Sequence, residues 1–201
     1  MARAAGLAMP RTELIKAKVN GKQEAFFAVQ RFDRDHNRKI HFLSLSGYTY
    51  ANHRAPSLDY LDGVMPAVRK LMRSAAEAQE AFRLMVFNVL AHNKDDHAKN
   101  FAFLRDPQKD VWELAPAFDL AFNHGMKDNH TTSVNGAGQP TAADIKAVAD
   151  RHGIKSWKMI VEEVRGAVAQ WPGFADEFGL TKARTQEIQK ALQTIDAVCR
   201  V

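Results

Sequence analysis

Along this chain the apolar positions change period near residue 56. Before it, LIKAKV and EAFFAV flank Asn20-Gly21. These are strand-like runs around a dipeptide that suits a two-residue hairpin turn, with arms expected at about 13–19 and 24–30. Residues 1–8 read as a short helix closed by Met9-Pro10, 33–39 (DRDHNRK) as a polar loop, and IHFLSL as a further extended piece. After Pro56 the spacing is helical: Leu58, Leu61, Met65, Val68, Leu71 and Met72 across 57–73, then Phe82, Met85, Val86, Val89 and Leu90 across 76–91. Stripes of this kind are core packing before they are anything else. FAFL (101–104) and VWEL (111–114) flank a turn containing Asp106-Pro107 and read as a second hairpin. Residues 123–140 are polar, punctuated by Gly125, Gly136, Gly138 and Pro140. Helices are expected at 141–151, 155–170 and 181–199, with Thr141 as N-cap of the first and Thr181 or Thr185 at the start of the last. The pattern predicts a mainly α fold with small β-hairpins (α+β): a β-containing N-terminal part, then a helical body holding two polar loops near its middle.

Composition narrows this picture. With 201 residues, 46% hydrophobic and 25% charged, the chain has the size of one domain, or one with a small appendage, and reads as soluble and globular. Cys199 is the single cysteine, which excludes an intrachain disulfide and Cys-rich zinc sites and fits a reducing, cytoplasmic setting. The opening MARAAGLAMPRTEL carries Arg3, Pro10 and Arg11 and makes a poor signal peptide. No run approaches the ~18 apolar residues that would span a membrane. The net charge of +5 is spread without a block; it permits an acidic partner such as a nucleotide or nucleic acid and does not specify one.

The chemistry concentrates in NKDDHAKNF (93–101), which crowds two carboxylates, a histidine, two lysines and two amides directly after an apolar helix. Protein kinases use a catalytic loop H-R-D-x-x-x-x-N, where the Asp accepts the substrate hydroxyl's proton and the Asn, five residues on, binds magnesium. Asp95 and Asn100 keep that separation, whereas Asp96 does not. A second metal carboxylate is then needed, since magnesium on phosphates takes few protein ligands. After the second hairpin, Asp119 stands where it should, in the order F-D-L rather than D-F-G. Singly, an Asp-rich loop is more often a solvated turn, His97 an ordinary hydrogen-bonded histidine, and Asp119 a helix cap. The joint order of helix, D-x-H-x-K-N, hairpin and F-D is far more specific.

R-F-D-R (Arg31 to Arg34), D-D-H-A-K-N-F (Asp95 to Phe101), L-A-P-A-F-D-L (Leu114 to Leu120) and S-V-N-G (Ser133 to Gly136) together resemble the HipA-type serine/threonine kinases, toxin components of bacterial toxin–antitoxin pairs. The resemblance covers essentially the whole chain, and D-x-H-x-x-N is also similar to lipid kinases. It implies a kinase-like C-terminal helical lobe at 33–201, preceded at 1–32 by a remnant of the N-terminal lobe and the inter-lobe linker. It implies ATP and Mg2+ as cofactors, a protein Ser/Thr substrate, and a HipB-like antitoxin that could mediate contact with DNA. By the same resemblance Asp95 becomes the catalytic base, Asn100 and Asp119 the metal ligands, and His97 and Lys99 nucleotide contacts, with Lys99 also neutralising the transferring phosphoryl. Gln30, Arg31 and Phe32 match the linker beside the adenine, with Gln30 where a glutamate is common. Asp96 receives no role, so Asp95→Asn is expected to abolish phosphotransfer and Asp96→Asn to cost far less.

None of the glycines makes G-x-G-x-x-G or G-x-x-x-x-G-K-[ST], and Lys16, Lys18 and Lys22 are not in the context of a nucleotide-contacting lysine. The chain is therefore expected to be a truncated product or a fragment that folds but lacks the phosphate clamp. Three readings follow: a HipA-type kinase lobe; an inactive or partner-dependent relative serving as a binding module for an antitoxin or a missing lobe; and a metal-dependent phosphohydrolase built on His92, Asp95, Asp96 and His97. The last leaves the kinase-like order of Asn100 and Asp119 unexplained.

Overall fold

The computed structural model describes residues 1–50, 58–106, 108 and 110–201. Strands β1 (Thr12–Val19) and β2 (Lys22–Val29) pair antiparallel from Thr12↔Val29 to Val19↔Lys22. Asn20 (φ 51°) and Gly21 (φ 80°) both take the left-handed conformation that a type I′ turn requires. Segment 33–39 is more ordered than a loop. Its β3 (Arg34–Asp35) and β4 (Arg38–Lys39) form a short ladder turning at His36. The expected second hairpin, β6 (Ala102–Asp106) and β7 (Val111–Leu114), gains a third strand, β5 (His41–Ser44), in the order β5-β6-β7. Pro107 of its turn lies outside the described residues.

A short helix, α1 (Leu45–Thr49), follows β5. The helix expected over 57–73 begins differently. Residue 57 lies outside the described residues; Asp59 then caps a π-helical turn, Tyr60–Val64, which runs into α2 (Met65–Met72). Helix α3 (Ala75–Leu90) starts at the Ser74 N-cap and is buried nearly all round in its second half, from Leu84 to Leu90. It is the central element. Phe82, Met85, Val86 and Val89 belong to one buried cluster with Val64, Val68, Ile160 and Val164. Each such side chain contributes about 1.5–3 kcal/mol on full burial.

The C-terminal region holds α4 (Ala142–His152), α5 (Trp157–Val168), α6 (Trp171–Glu177) and α7 (Lys182–Val198). Thr141 and Asp144 form a capping box on α4, and Thr181 caps α7, as expected. Helix α6 lies between the two helices expected at 155–170 and 181–199 and is additional to them. Pro in the first helical turn lacks only an N–H that would have no intrahelical partner, so it starts the helix. The Trp171 indole donates to the Thr185 carbonyl at 3.0 Å and fixes α6 on α7. Among the described residues no helix is long and apolar enough to cross a membrane.

His152, the last residue of α4, ties the helical body to the π-helical turn. Its Nε2 donates to the Leu61 carbonyl at 2.6 Å, and its own carbonyl accepts from the Arg69 guanidinium. Burial holds its pKa below the ordinary 6.5, opposed by the Leu61 hydrogen bond. The unfolded chain therefore takes up this proton first as pH falls, and the stabilisation present above pH 6.5 is lost as pH drops through the folded value. Urea titrations at pH 5 and pH 7 should show lower stability at pH 5, with part of the difference removed in His152→Gln.

Candidate active site

The sequence at the end of α3 turns its last helical residues into a polar anchor. Asn88, buried within the apolar stripe, donates its amide to the Tyr60 hydroxyl at 2.9 Å and accepts from Asn93 Nδ2 at 2.9 Å. His92 takes a left-handed backbone (φ 57°), and the chain enters 93–100. Side chains there divide by depth. Asn93, Lys94, Asp96 and Ala98 are buried, while Asp95 and Lys99 are exposed and His97 and Asn100 lie between.

Asp96 is the device that fixes the loop. Its carboxylate is fully shielded and accepts from four donors: the Tyr60 hydroxyl (3.1 Å), His130 Nδ1 (3.0 Å), and the backbone N–H groups of Thr131 (3.0 Å) and Thr132 (3.1 Å). Facing an acceptor-only carboxylate, Nδ1 of His130 carries the proton. The Thr132 hydroxyl donates to the Asp96 carbonyl, and the Thr131 N–H to the Lys94 carbonyl at 3.0 Å. Burial first, and the adjacent Asp96 charge second, raise the Tyr60 phenol well above its ordinary value, so it remains a donor. The sequence reading gave Asp96 no role. The structure corrects this: the carboxylate holds the loop through partners 34 to 36 positions away.

With Asp96 directed inward, its neighbour Asp95 is directed outward, its side chain 59% exposed and 3.8 Å from His97 Nε2. Asn100 donates its amide to the Asp95 carbonyl at 2.8 Å, closing the turn that joins the two. The β6–β7 pairing then returns the chain. Phe103 faces Leu114, and the Ala115 N–H donates to the Ala102 carbonyl at 2.9 Å. Beyond this point the chain leaves the ladder, and the Ala117 N–H donates to the Ala8 carbonyl at 2.8 Å. Asp119 is exposed and adopts φ 55°, a conformation that costs a non-glycine residue about 1 kcal/mol and gathers at functional sites. The following segment returns to the loop, because the Asn123 N–H donates to the His92 carbonyl at 3.1 Å and Ala121 N–H lies 3.4 Å from Asn93 Oδ1.

Of the three residues expected to form the linker, Phe32 reaches the segment that carries Asp119. Phe32 packs on Phe118 (centroids 5.4 Å apart) and on Phe42 (6.1 Å), beside Asp119. Gln30 is exposed, its N–H donating to the Arg11 carbonyl at 2.8 Å. Arg31 forks onto Asp33, Nε to Oδ1 at 2.8 Å, and that guanidinium holds the Asp33 carboxyl below its usual range. S-V-N-G also finds a physical meaning. Asp59 Oδ2 accepts from the Ser133 hydroxyl (2.6 Å) and the Gly136 N–H (2.7 Å), locking this loop to the π-helical turn below Tyr60. Asp96, Tyr60, His130, Asn88 and Asp59 are thus site-supporting residues that spacing did not disclose.

The four groups of the hydrolase reading do not gather. Asp96 spends its oxygens on four donors, and His92 turns its Nε2 towards Asp128, at 3.9 Å.

A sequence profile described as the HipA-like C-terminal domain matches residues 1–197. No curated protein matches the chain. Among solved structures, a chain of the Shewanella oneidensis MR-1 toxin–antitoxin complex of HipA, HipB and operator DNA superposes with a TM-score of 0.70 at 16% identity, covering 98% of this chain and 52% of that one. The Helicobacter pylori proinflammatory kinase CtkA superposes with a TM-score of 0.58 at 13% identity, covering 98% of this chain and 79% of that one. At such identities the likeness is one of fold, and this chain spans about half the length of the Shewanella chain it matches. The α+β architecture expected from the sequence is the one these structures share, and by the match across nearly its full length the chain belongs to the HipA-like C-terminal domain family.

Proposed function

We propose that this chain is the catalytic lobe of an ATP-dependent serine/threonine protein kinase of the HipA type, the toxin of a toxin–antitoxin pair. One observation carries the reading: Asp95 stands exposed on a loop whose flanking residues are anchored inward, with Asn100 hydrogen-bonded to its carbonyl and the segment after Asp119 bonded back to His92 and Asn93 at the start of the same loop. Asp95 takes the proton from the substrate hydroxyl. Asn100 and Asp119 offer an amide oxygen and an exposed carboxylate, the hard oxygen donors that Mg2+ prefers. Lys99 neutralises charge on the transferred group, His97 contacts the nucleotide, and Gln30, Arg31 and Phe32 border the adenine. When bound, ATP with Mg2+ supplies the phosphoryl group and the metal's charge.

The phosphate-binding loop belongs, in this proposal, to a further lobe acting with residues 1–32. Hairpin β1–β2 favours such a partner. Leu14 and Ile15 on one strand, and Phe26 and Phe27 on the other, are all at least 43% exposed, an unusual concentration on a two-stranded hairpin. Without that lobe the chain acts as a binding module, the second reading. A HipB-like antitoxin, and operator DNA through it, are the proposed partners in a cytoplasmic setting, in keeping with the HipA–HipB–DNA complex among the structural matches.

Calorimetry with ATP tests the metal pair. Weak binding that requires Mg2+, and that Asp119→Asn abolishes, is expected of the 201-residue chain. Binding unchanged by a chelator would remove Asn100 and Asp119 as magnesium ligands.

A further inference from the structure

We propose that His92, His124 and Asp128 form a binding site for a divalent transition-metal cation of the zinc class, distinct from the nucleotide–magnesium site. One ligand atom from each lies within 4.8 Å of the others. Tetrahedral zinc ligands at about 2.0–2.2 Å from the ion are roughly 3.3–3.6 Å apart, so closure asks for a tightening of about 1 Å. Two of the three ligands stand on the exposed loop 124–128, where that movement is cheapest.

His92 is already set as a ligand. Its Nδ1 donates to the Asn123 carbonyl at 2.8 Å, which places the lone pair on Nε2, 3.9 Å from Asp128 Oδ1. A backbone carbonyl on the far ring nitrogen is the usual outer support of a metal-bound histidine. The ring stacks on Phe122 (5.0 Å between centroids) and meets His124 edge-on at 5.3 Å, while Phe122 meets His124 at 5.2 Å. Both imidazoles are therefore held by one aromatic neighbour. The Lys94 ammonium, 2.6 Å from Asp128 Oδ1 and 2.7 Å from its carbonyl, orients the carboxylate and keeps it ionised. It also repels an incoming cation, so the affinity falls below that of closed structural zinc sites. Two imidazoles with one carboxylate select zinc, cobalt or nickel over magnesium. An ion there would clip the end of α3 to the loop following Phe122, joining the two segments that lead to Asp95 and from Asp119. The proposal does not depend on the kinase reading.

The test is calorimetric titration of chelator-treated protein with ZnCl2, alongside the visible absorption of the Co2+ adduct. Wild type should bind one ion and give a cobalt spectrum. His124→Ala and Asp128→Asn, both at exposed positions, should remain folded by circular dichroism and lose more than about 100-fold in affinity, since even outer-shell partners of a metal site are worth about 10- to 100-fold. His36→Ala, at an exposed histidine elsewhere, should bind as wild type does. Absence of binding to the wild type, or retained affinity in either ligand variant, would overturn the proposal.

Discussion

Asp96→Ala is expected to lower the unfolding free energy by about 3–5 kcal/mol, the cost of breaking a buried charge cluster by removing one side. Four donors lose their acceptor together: the Tyr60 hydroxyl, His130 Nδ1, and the Thr131 and Thr132 N–H groups. Three of the four have no water within easy reach, because Tyr60, His130 and Thr132 are themselves buried, while the Thr131 N–H keeps the Lys94 carbonyl as a second acceptor. Each buried group left unpaired costs about 1–3 kcal/mol, so the estimate assumes that some find new partners. For a chain of this length the loss corresponds to a fall in Tm of roughly 6–20 °C. Asp96→Asn keeps the shape but offers an NH2 group where an acceptor is required, so it too should destabilise. Tm values within about 2 °C of wild type for both variants would show that the network is incidental. Because the same network orients Asp95, these substitutions should also depress phosphotransfer, contrary to the sequence-based expectation that Asp96 matters little.

Asp95→Asn should behave in the opposite manner. The side chain is more than half exposed and lies 3.8 Å from the His97 ring nitrogen, so the fold asks little of it. Exposed substitutions of this kind change stability by no more than about 0.5 kcal/mol. Loss of a general base, in contrast, costs on the order of 100- to 10,000-fold in rate. Assayed together with a lobe that supplies the phosphate-binding loop, Asp95→Asn should abolish measurable transfer to Ser/Thr substrate while its Tm stays with the wild type. Asp96→Asn should lose activity and stability together. If Asp95→Asn retains transfer, Asp95 is not the base and the register of the loop is wrong.

Much of this was readable because short-range periodicity is written in consecutive residues. Asn20-Gly21 fixed the first hairpin, the stripe from Phe82 to Leu90 fixed α3, and the separation of Asp95 from Asn100 pointed to the turn that their hydrogen bond closes. What escaped depends on contacts made across long sequence distances or on exceptions to local rules. β5 joins β6 some 60 positions later, and nothing in HFLS names that partner. Pro172 and Gly173 obscured α6, since the same residues start helices and end them. Asp96 looked redundant beside Asp95 because its donors sit in Tyr60 and His130–Thr132, and Asn88 hid among apolar neighbours although it carries the network into α3.

The proposed function rests on Asn100 and Asp119 sharing the metal that holds the nucleotide in front of Asp95. A crystal structure of the chain with Mn2+ in place of Mg2+ and a non-hydrolysable ATP analogue, examined by anomalous scattering, tests it most directly. A manganese peak is expected about 2.1 Å from Asn100 Oδ1 and from an Asp119 carboxylate oxygen, with the γ-phosphate between the metal and Asp95. A nucleotide bound with no peak between these two residues, or a peak only among His92, His124 and Asp128, would contradict it.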